Sequence, residues 1–199
     1  FLTRYNTRFR KQVQGFAKAL PVAVAAAVTL GVAPLLFVQV LYGRLFFTSS
    51  ILMAWFWLAV VPLVIVAYYG AYLLAFRGEA RGSRALAVPA LVAWLFATVA
   101  FLYVSNVTRA LRPDTFAEAY RADRRGLLLN LGDPTLWPRY LHVLLGAVAV
   151  AALGVALLGV LRRDHDAGFS AWATKRGTIV FAAATAANVF VGLLFLLAQ

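Results

Sequence analysis

Five apolar stretches of roughly 20 to 28 residues run through this chain, and none of them contains an Asp, Glu, Lys or Arg. They are Ala19–Tyr42, Ser49–Phe76, Ala85–Val107, Tyr140–Leu161 and Gly177–Ala198. A helix rises about 1.5 Å per residue, so about 20 apolar residues cross a hydrocarbon core roughly 30 Å thick. Five such stretches in 199 residues predict an all-α integral membrane protein. We expect a single transmembrane helical domain over residues 1–199, a polytopic bundle of five helices in contact with the lipid bilayer.

The composition agrees with a membrane protein. Hydrophobic residues make up 63% of the chain and charged residues 13%, whereas soluble domains are closer to half apolar and a quarter charged. The net charge of +12 would suggest nucleic acid in a soluble protein, but here the basic residues lie at the ends of apolar stretches, so we expect no nucleic-acid partner. The chain has no cysteine, which excludes disulfides, thiolate metal sites, iron–sulfur clusters and covalently attached haem within it.

The distribution of basic residues predicts the orientation. Twelve of the 19 Lys and Arg residues lie in residues 1–18, 77–84 and 162–176, which must share one side of the membrane. The other seven lie on the opposite side, where the connection Thr108–Arg139 also carries four acidic residues. Because cytoplasmic loops are enriched in Lys and Arg, the N-terminus is predicted to be cytoplasmic and the long connection to be outside. The expected location is the bacterial inner membrane.

Two features outside the apolar stretches suggest further organisation. The outer loop 108–139 reads as a short amphipathic helix after Pro113 and then an apolar segment on the bilayer surface. It could cover the bundle, act as a lid, or dock a partner. Residues 2–9 also resemble residues 161–169 if one gap is allowed, and each precedes an alanine-rich stretch. If that repeat is real, the chain is part of a larger tandem bundle.

Several enzyme and transporter classes lose support because their motifs are missing. No carboxylate lies at membrane depth, so the proton or cation relay of a secondary transporter is absent. The sequence contains no glycine-rich phosphate loop, HExxH or nucleophile elbow. We therefore predict no catalytic residue of a hydrolase or ATPase.

A set of polar residues falls at one predicted depth, near the outer interface. His142 lies about two residues inside the fourth stretch and Met53 about four residues inside the second. A neutral imidazole and a thioether can be the two axial ligands of a haem b iron, so both are predicted cofactor and metal ligands facing one another across the bundle. The predicted pocket is completed by Gln39, Tyr42 and Tyr103, with Arg44 and Arg139 contacting propionates or a headgroup. The same groups could hold a quinone, or they could be an interfacial histidine and a gap-filling methionine.

The segment Trp137-Pro-Arg-Tyr-Leu-His142 opens a helix rich in small residues, and the chain also has Met53 and a long outer loop. In these features it resembles the large subunit of cytochrome bd-type quinol oxidases and related bacterial respiratory cytochromes, over about a quarter of the chain. The resemblance implies haem b held by His and Met near the outer face, where quinol is oxidised. The GRQPW motif of that family, its intramembrane glutamate and its further haem histidines are absent, so a complete oxidase is not expected.

The resulting prediction is an integral membrane subunit of a bacterial respiratory or electron-transfer complex, at most part of an oxidoreductase. It would handle haem b, quinol or both near the periplasmic face, in contact with other membrane subunits. Two alternatives remain open. One is a non-catalytic scaffold or anchor whose small-residue faces bind neighbouring helices. The other is a channel or carrier for a neutral solute.

Overall fold

The computed structural model describes the backbone of residues 2–76 and 84–197, and the side chains of residues 14–76 and 87–197. These residues are helical over most of their length, and no β-strand occurs among them. Three features of the sequence prediction lie outside the described residues. They are Phe1, the basic residues Arg77 and Arg81 of the second connection, and Ala198 at the end of the fifth stretch.

The described residues form seven α-helices and one short 3₁₀ turn. The helices are α1 (Leu2–Leu41), α2 (Gly43–Leu52), α3 (Ala54–Phe76), α4 (Arg84–Ala110), α5 (Phe116–Ala122), α6 (Leu136–Leu161) and α7 (Ala167–Leu197). The 3₁₀ turn, Pro113–Thr115, leads directly into α5, which is the short helix that the sequence predicts in the long connection. The chain forms two compact units, residues 1–130 and residues 131–199. The sequence prediction treats residues 1–199 as one domain.

Five helices are long and apolar enough to cross a membrane, as predicted. Their apolar segments are Gln14–Leu41, Ala54–Phe76, Ala87–Ala110, Leu136–Leu161 and Ala167–Leu197. The helices extend beyond the predicted stretches at several ends, most clearly at α1, which begins at Leu2 instead of Ala19, and at α7, which begins at Ala167 instead of Gly177. Hydropathy marks where a helix enters hydrocarbon, whereas the helix itself continues through polar residues until its backbone pattern is broken. The chain is therefore a multi-pass helical membrane protein.

The second predicted stretch is not one continuous helix. It divides at Met53, whose backbone angles (φ −122°, ψ 34°) lie outside the helical range, so Ser49–Leu52 belong to the short helix α2. Segment 126–130 then lies along the break. The N–H of Trp55 donates to the carbonyl of Gly126 (3.2 Å), and the N–H of Leu128 donates to the carbonyl of Leu52 (3.3 Å). These bonds satisfy backbone groups at the two helix ends, and they place the segment against α2 and α3.

In the first unit, small residues bring α3 and α4 together. Ala67, Ala71 and Ala75 recur every four residues on α3 and are buried, so they form one packed face. Gly70 lies beside them, and a Cβ at this position would stand 2.5 Å from Cγ2 of Val92 on α4. Helix α1 packs on α3, but Pro21 and Val24 are its only buried residues among the described side chains, 14–41. Most of the surface of residues 14–41 is thus available to lipid.

The second unit is an antiparallel hairpin of α6 and α7, joined by the turn 162–166. Gly177 of α7 packs directly against α6, because a Cβ at this position would stand 2.7 Å from the Ala152 carbonyl oxygen. Gly159 of α6 packs against α7 in the same way, and its Cβ position is 2.8 Å from the Thr174 nitrogen. Backbone approach of this kind is typical of membrane helices that associate through small residues. We call the side of the hairpin at residues 162–166 the turn end, and the side at Leu136 and Leu197 the open end.

Candidate functional site

Of the site residues predicted in the first unit, Gln39 lies at the end of α1, Tyr42 and Arg44 at the start of α2, and Tyr103 on α4. Gln39 is partly buried, whereas Tyr42 is 60% exposed and Arg44 is exposed. Tyr103 lies against Trp57, with ring centroids 6.3 Å apart. No hydrogen bond, ion pair or ring contact among residues 14–76 and 87–130 joins Gln39, Tyr42 or Arg44 to Tyr103.

Met53 is enclosed at the break between α2 and α3. Its side chain has no solvent-exposed surface, and segment 126–130 crosses directly over the neighbouring residues. A Cβ placed on Gly126 would already stand 3.0 Å from Ala54, so the segment is in close contact with the break. A thioether with no exposed surface has no open space of porphyrin size beside it. Met53 and His142 also belong to different compact units, so their axial pairing stays a prediction.

His142 and Arg139 in the second unit share one face of α6. They are three residues apart, which places them one above the other on a helix. Both lie against α7. A Cβ at Gly192 would stand 3.7 Å from Cε1 and Nδ1 of His142, and the Arg139 guanidinium carbon lies 5.0 Å from the centre of the Phe195 ring. The imidazole is exposed and the arginine is partly buried. Thus the two residues of the predicted motif contact the same partner helix.

Asn188 continues this line of contacts one turn deeper in the hairpin. Its amide nitrogen lies 3.7 Å from the Cβ position of Gly146 on α6. Its Oδ1 atom is buried and has no hydrogen-bond partner among the described residues. A buried acceptor without a hydrogen bond costs about 1–3 kcal/mol, and Asn106 Oδ1 on α4 is a second such acceptor among the described residues.

We call this group of residues the open-end seam. It consists of Arg139, His142, Gly146, Asn188 and Gly192. Arg139, His142 and Gly146 of α6 lie opposite Phe195, Gly192 and Asn188 of α7. The residue numbers on the two helices therefore change by equal amounts in opposite directions, as expected for an antiparallel pair. The three polar residues provide one cation, one imidazole that can donate and accept, and one amide that can do both. A Cβ at Gly146 or Gly192 would be in ordinary van der Waals contact with Asn188 or His142, so each glycine position has room for a methyl group.

The sequence prediction included Arg139 and His142 but missed Asn188, Gly146 and Gly192. A signal for Asn188 existed, because it is the one amide or charged side chain in the stretch Gly177–Ala198. Linking Asn188 to Arg139 and His142 requires knowing which residues of α6 and α7 lie opposite each other. That register depends on a helix that starts at Ala167, ten residues before the point where hydropathy places the fifth stretch.

A second polar cluster, in the first unit, has a structural role. The Ser49 hydroxyl donates to the Asn106 carbonyl (2.7 Å), and the Asn106 amide donates to the Ser50 hydroxyl (2.8 Å). The N–H of Asn130 donates to the Ser105 hydroxyl (3.4 Å). Ser49, Ser105 and Asn106 have no exposed surface, so this cluster fastens α2 and segment 126–130 to α4.

Among the described side chains, residues 14–76 and 87–197, no group of three or more His, Cys, Asp or Glu is placed to hold a metal ion. Comparison of the chain with protein families, curated proteins and solved structures finds no match. The resemblance of residues 137–151 to the large subunit of cytochrome bd-type oxidases stays a prediction from the sequence.

Proposed function

We propose that the chain is a membrane subunit of an electron-transfer assembly and that its open-end seam binds the headgroup of a quinol or quinone. One observation carries the proposal. Arg139 and His142 lie one turn apart on α6, both against α7, and the imidazole is exposed at a depth where the surrounding residues are apolar. A polar group in that setting requires a hydrogen-bonding partner that can enter from the bilayer.

A quinone matches the chemistry of the seam. Its ring carries oxygens that accept hydrogen bonds from an imidazole or an amide, and in the reduced form its hydroxyls donate to them. Its apolar tail can lie along the exposed faces of the hairpin, which include Leu141, Val143, Leu193 and Leu196. Oxidation of a quinol releases two electrons and two protons. The electrons require an acceptor on another subunit, in accord with a role as one part of a larger assembly.

The proposed orientation follows from the excess of Lys and Arg in residues 1–18, 77–84 and 162–176. It puts the turn end in the bacterial cytoplasm and the open-end seam in the outer leaflet. The chain lacks cysteine, so a single cysteine placed at Arg81 or at Asp123 can be labelled without background. A reagent that does not cross membranes should label the Asp123 variant in intact cells and the Arg81 variant only after lysis. Labelling of both from one side would contradict the orientation.

Quinone binding can be tested on the full chain in lipid nanodiscs, titrated with a short-tailed benzoquinone against empty nanodiscs. We expect saturable binding by the wild type and at least about tenfold weaker binding by His142→Leu, since loss of one hydrogen bond to a ligand costs about 1–3 kcal/mol. The matched control is His165→Leu, because His165 is the other histidine and lies exposed in the turn 162–166. Absence of saturable binding by the wild type would overturn the proposal and favour a non-catalytic anchor or a solute channel.

Haem b is a weaker candidate for the same seam. The exposed His142 could be one axial ligand, whereas the Met53 thioether has no exposed surface and would have to be uncovered before it could bind iron. The predicted propionate contacts, Arg44 and Arg139, remain predictions with the haem itself. A visible spectrum of the purified chain decides between the two cofactors. We expect no reduced b-type α-band, and a band that disappears in His142→Ala would favour haem.

A further inference from the structure

We infer that the turn end of the α6–α7 hairpin binds the headgroup of an acidic phospholipid, mainly through Lys175 and Arg176. The inference rests on the five helices that are long and apolar enough to cross a membrane, and it does not depend on quinone binding at the open end. We call Arg162, Arg163, Lys175 and Arg176 the turn-end basic cluster. All four side chains are exposed.

The position of Lys175 and Arg176 along the hairpin carries the inference. A Cβ at Gly159 would stand 2.7 Å from Oγ1 of Thr174, so these two residues of α6 and α7 lie at one level. Lys175 and Arg176 follow Thr174 in the direction away from the turn, whereas α6 continues from Gly159 to Leu161 toward the turn. At about 1.5 Å per residue, the two cations therefore lie roughly 4–6 Å inside the end of α6. This level is the edge of an apolar membrane-spanning helix, where hydrocarbon gives way to lipid headgroups.

The surface around the two cations is apolar. Leu157 and Leu158 of α6 are exposed close to their level, and Ile179 is exposed one turn further along α7. Neither Lys175 nor Arg176 makes an ion pair among the described residues. Charged groups in such a setting need an anion within reach, and the long side chains of Lys and Arg extend to the headgroup level. The anion that a bilayer offers at that level is the lipid phosphate.

The charge balance of the hairpin favours a lipid with a net negative charge. Between residues 140 and 197 the sequence has the four cations of the turn-end basic cluster and only two carboxylates, Asp164 and Asp166. The Asp166 carboxylate accepts a hydrogen bond from the N–H of Phe169 (3.0 Å), so it is engaged at the first turn of α7. A zwitterionic headgroup brings its own cation to the cluster, whereas an acidic headgroup brings a phosphate without one. Electrostatic attraction therefore selects the acidic lipid.

Aromatic side chains lie between the members of the cluster. The Arg162 guanidinium carbon is 6.0 Å from the centre of the Phe169 ring, and the ring centroids of Phe169 and Trp172 are 6.1 Å apart. Trp172 precedes Lys175 by three residues and Arg176 by four, so these three residues share one face of α7. Because tryptophan is enriched at the level of lipid headgroups, the position of Trp172 agrees with the depth inferred for the two cations.

Native mass spectrometry of the full chain, delipidated in an uncharged detergent, can measure the preference for an acidic headgroup. Phosphatidylglycerol and phosphatidylcholine with the same acyl chains would be titrated in parallel. We expect the wild type to bind the first phosphatidylglycerol about tenfold more tightly than the first phosphatidylcholine, since each cation near a membrane surface adds to the attraction. In the double variant Lys175→Gln/Arg176→Gln, this ratio should fall to about twofold or less.

Two further variants make the test specific to the turn end. Arg121→Gln/Arg124→Gln removes the same charge from exposed residues of the long connection and should keep the wild-type ratio. Lys175→Arg/Arg176→Lys retains both charges and should also keep it. Equal affinity of the wild type for the two lipids would overturn the inference. An equal loss of preference in both Gln variants would overturn it as well, because the preference would then follow net charge and not the turn-end basic cluster.

Discussion

The His142 imidazole lies against Gly192 of the neighbouring helix, with Cε1 and Nδ1 each 3.7 Å from the position where a Cβ would stand. This contact fixes the register at the open end of the α6–α7 hairpin. It also leaves room for a methyl group at Gly192, beside the one histidine among the described residues that lies in a membrane-spanning helix.

Substitutions of different size at Gly192 should distinguish an effect on folding of the α6–α7 hairpin from an effect on quinone binding at the open-end seam. A methyl group at 3.7 Å from the imidazole is an ordinary contact, so Gly192→Ala should fold and bind quinone with an affinity within a few-fold of the wild type. Gly192→Phe should place a bulky ring beside His142 and abolish saturable quinone binding in nanodiscs. Gly154→Phe is the control, because no neighbouring atom lies within 4 Å of the Cβ position at Gly154. Unchanged binding by Gly192→Phe would place the ligand elsewhere.

Gly177 should be among the positions least tolerant of a side chain. Its Cβ position is 2.7 Å from both the Ala152 oxygen and the Ala156 nitrogen, which are backbone atoms that cannot move aside without separating the helices. We expect Gly177→Ala to destabilise the hairpin by about 1–3 kcal/mol, the usual cost of overpacking. Unfolding in mixed detergent micelles, followed by circular dichroism, measures this change. Gly154→Ala should leave the midpoint unchanged, and equal midpoints for both variants would refute the close approach of α6 and α7.

Gly126 should be required for segment 126–130 to cover the break at Met53. It has φ +74°, where a residue with a side chain costs about 1–2 kcal/mol more, and a Cβ would crowd Ala54 and the Ile51 carbonyl. Gly126→Ala should therefore loosen the segment and speed tryptic cleavage at Arg124 and Arg125, both exposed. Gly132→Ala, a position with open space around its Cβ, should cleave at the wild-type rate. Similar rates in both variants would mean that the segment is not held by this contact.

The part of the fold that the sequence predicts well is the part that hydrocarbon thickness dictates. A stretch such as Tyr140–Leu161 must be helical and about 20 residues long, since every backbone polar group needs a partner within the bilayer. The break at Met53 is different. Hydropathy does not report which backbone groups are bonded by a distant segment, and here the partners come from residues 126–130, more than 70 positions later.

In the candidate site, the sequence likewise predicts the positions within one helix and does not predict the residues on the partner helix. The three-residue spacing of Arg139 and His142 is visible in the sequence and places both on one face of a helix. Their opposite partners are not visible, because the residues that face each other depend on where α7 begins and how the turn 162–166 closes. Asn188 and Gly192 could be found only once that register was known.

Photolabelling with a quinone that carries a light-activated azide would identify the helices that line the quinone site. The full chain in nanodiscs would be irradiated with this probe, digested, and mapped by mass spectrometry. We predict label in residues 136–146 and 186–196, the two sides of the open-end seam, and we predict that excess unlabelled hydroquinone or the substitution His142→Leu abolishes it. Label confined to other helices, or label in the seam that excess hydroquinone does not displace, would contradict it.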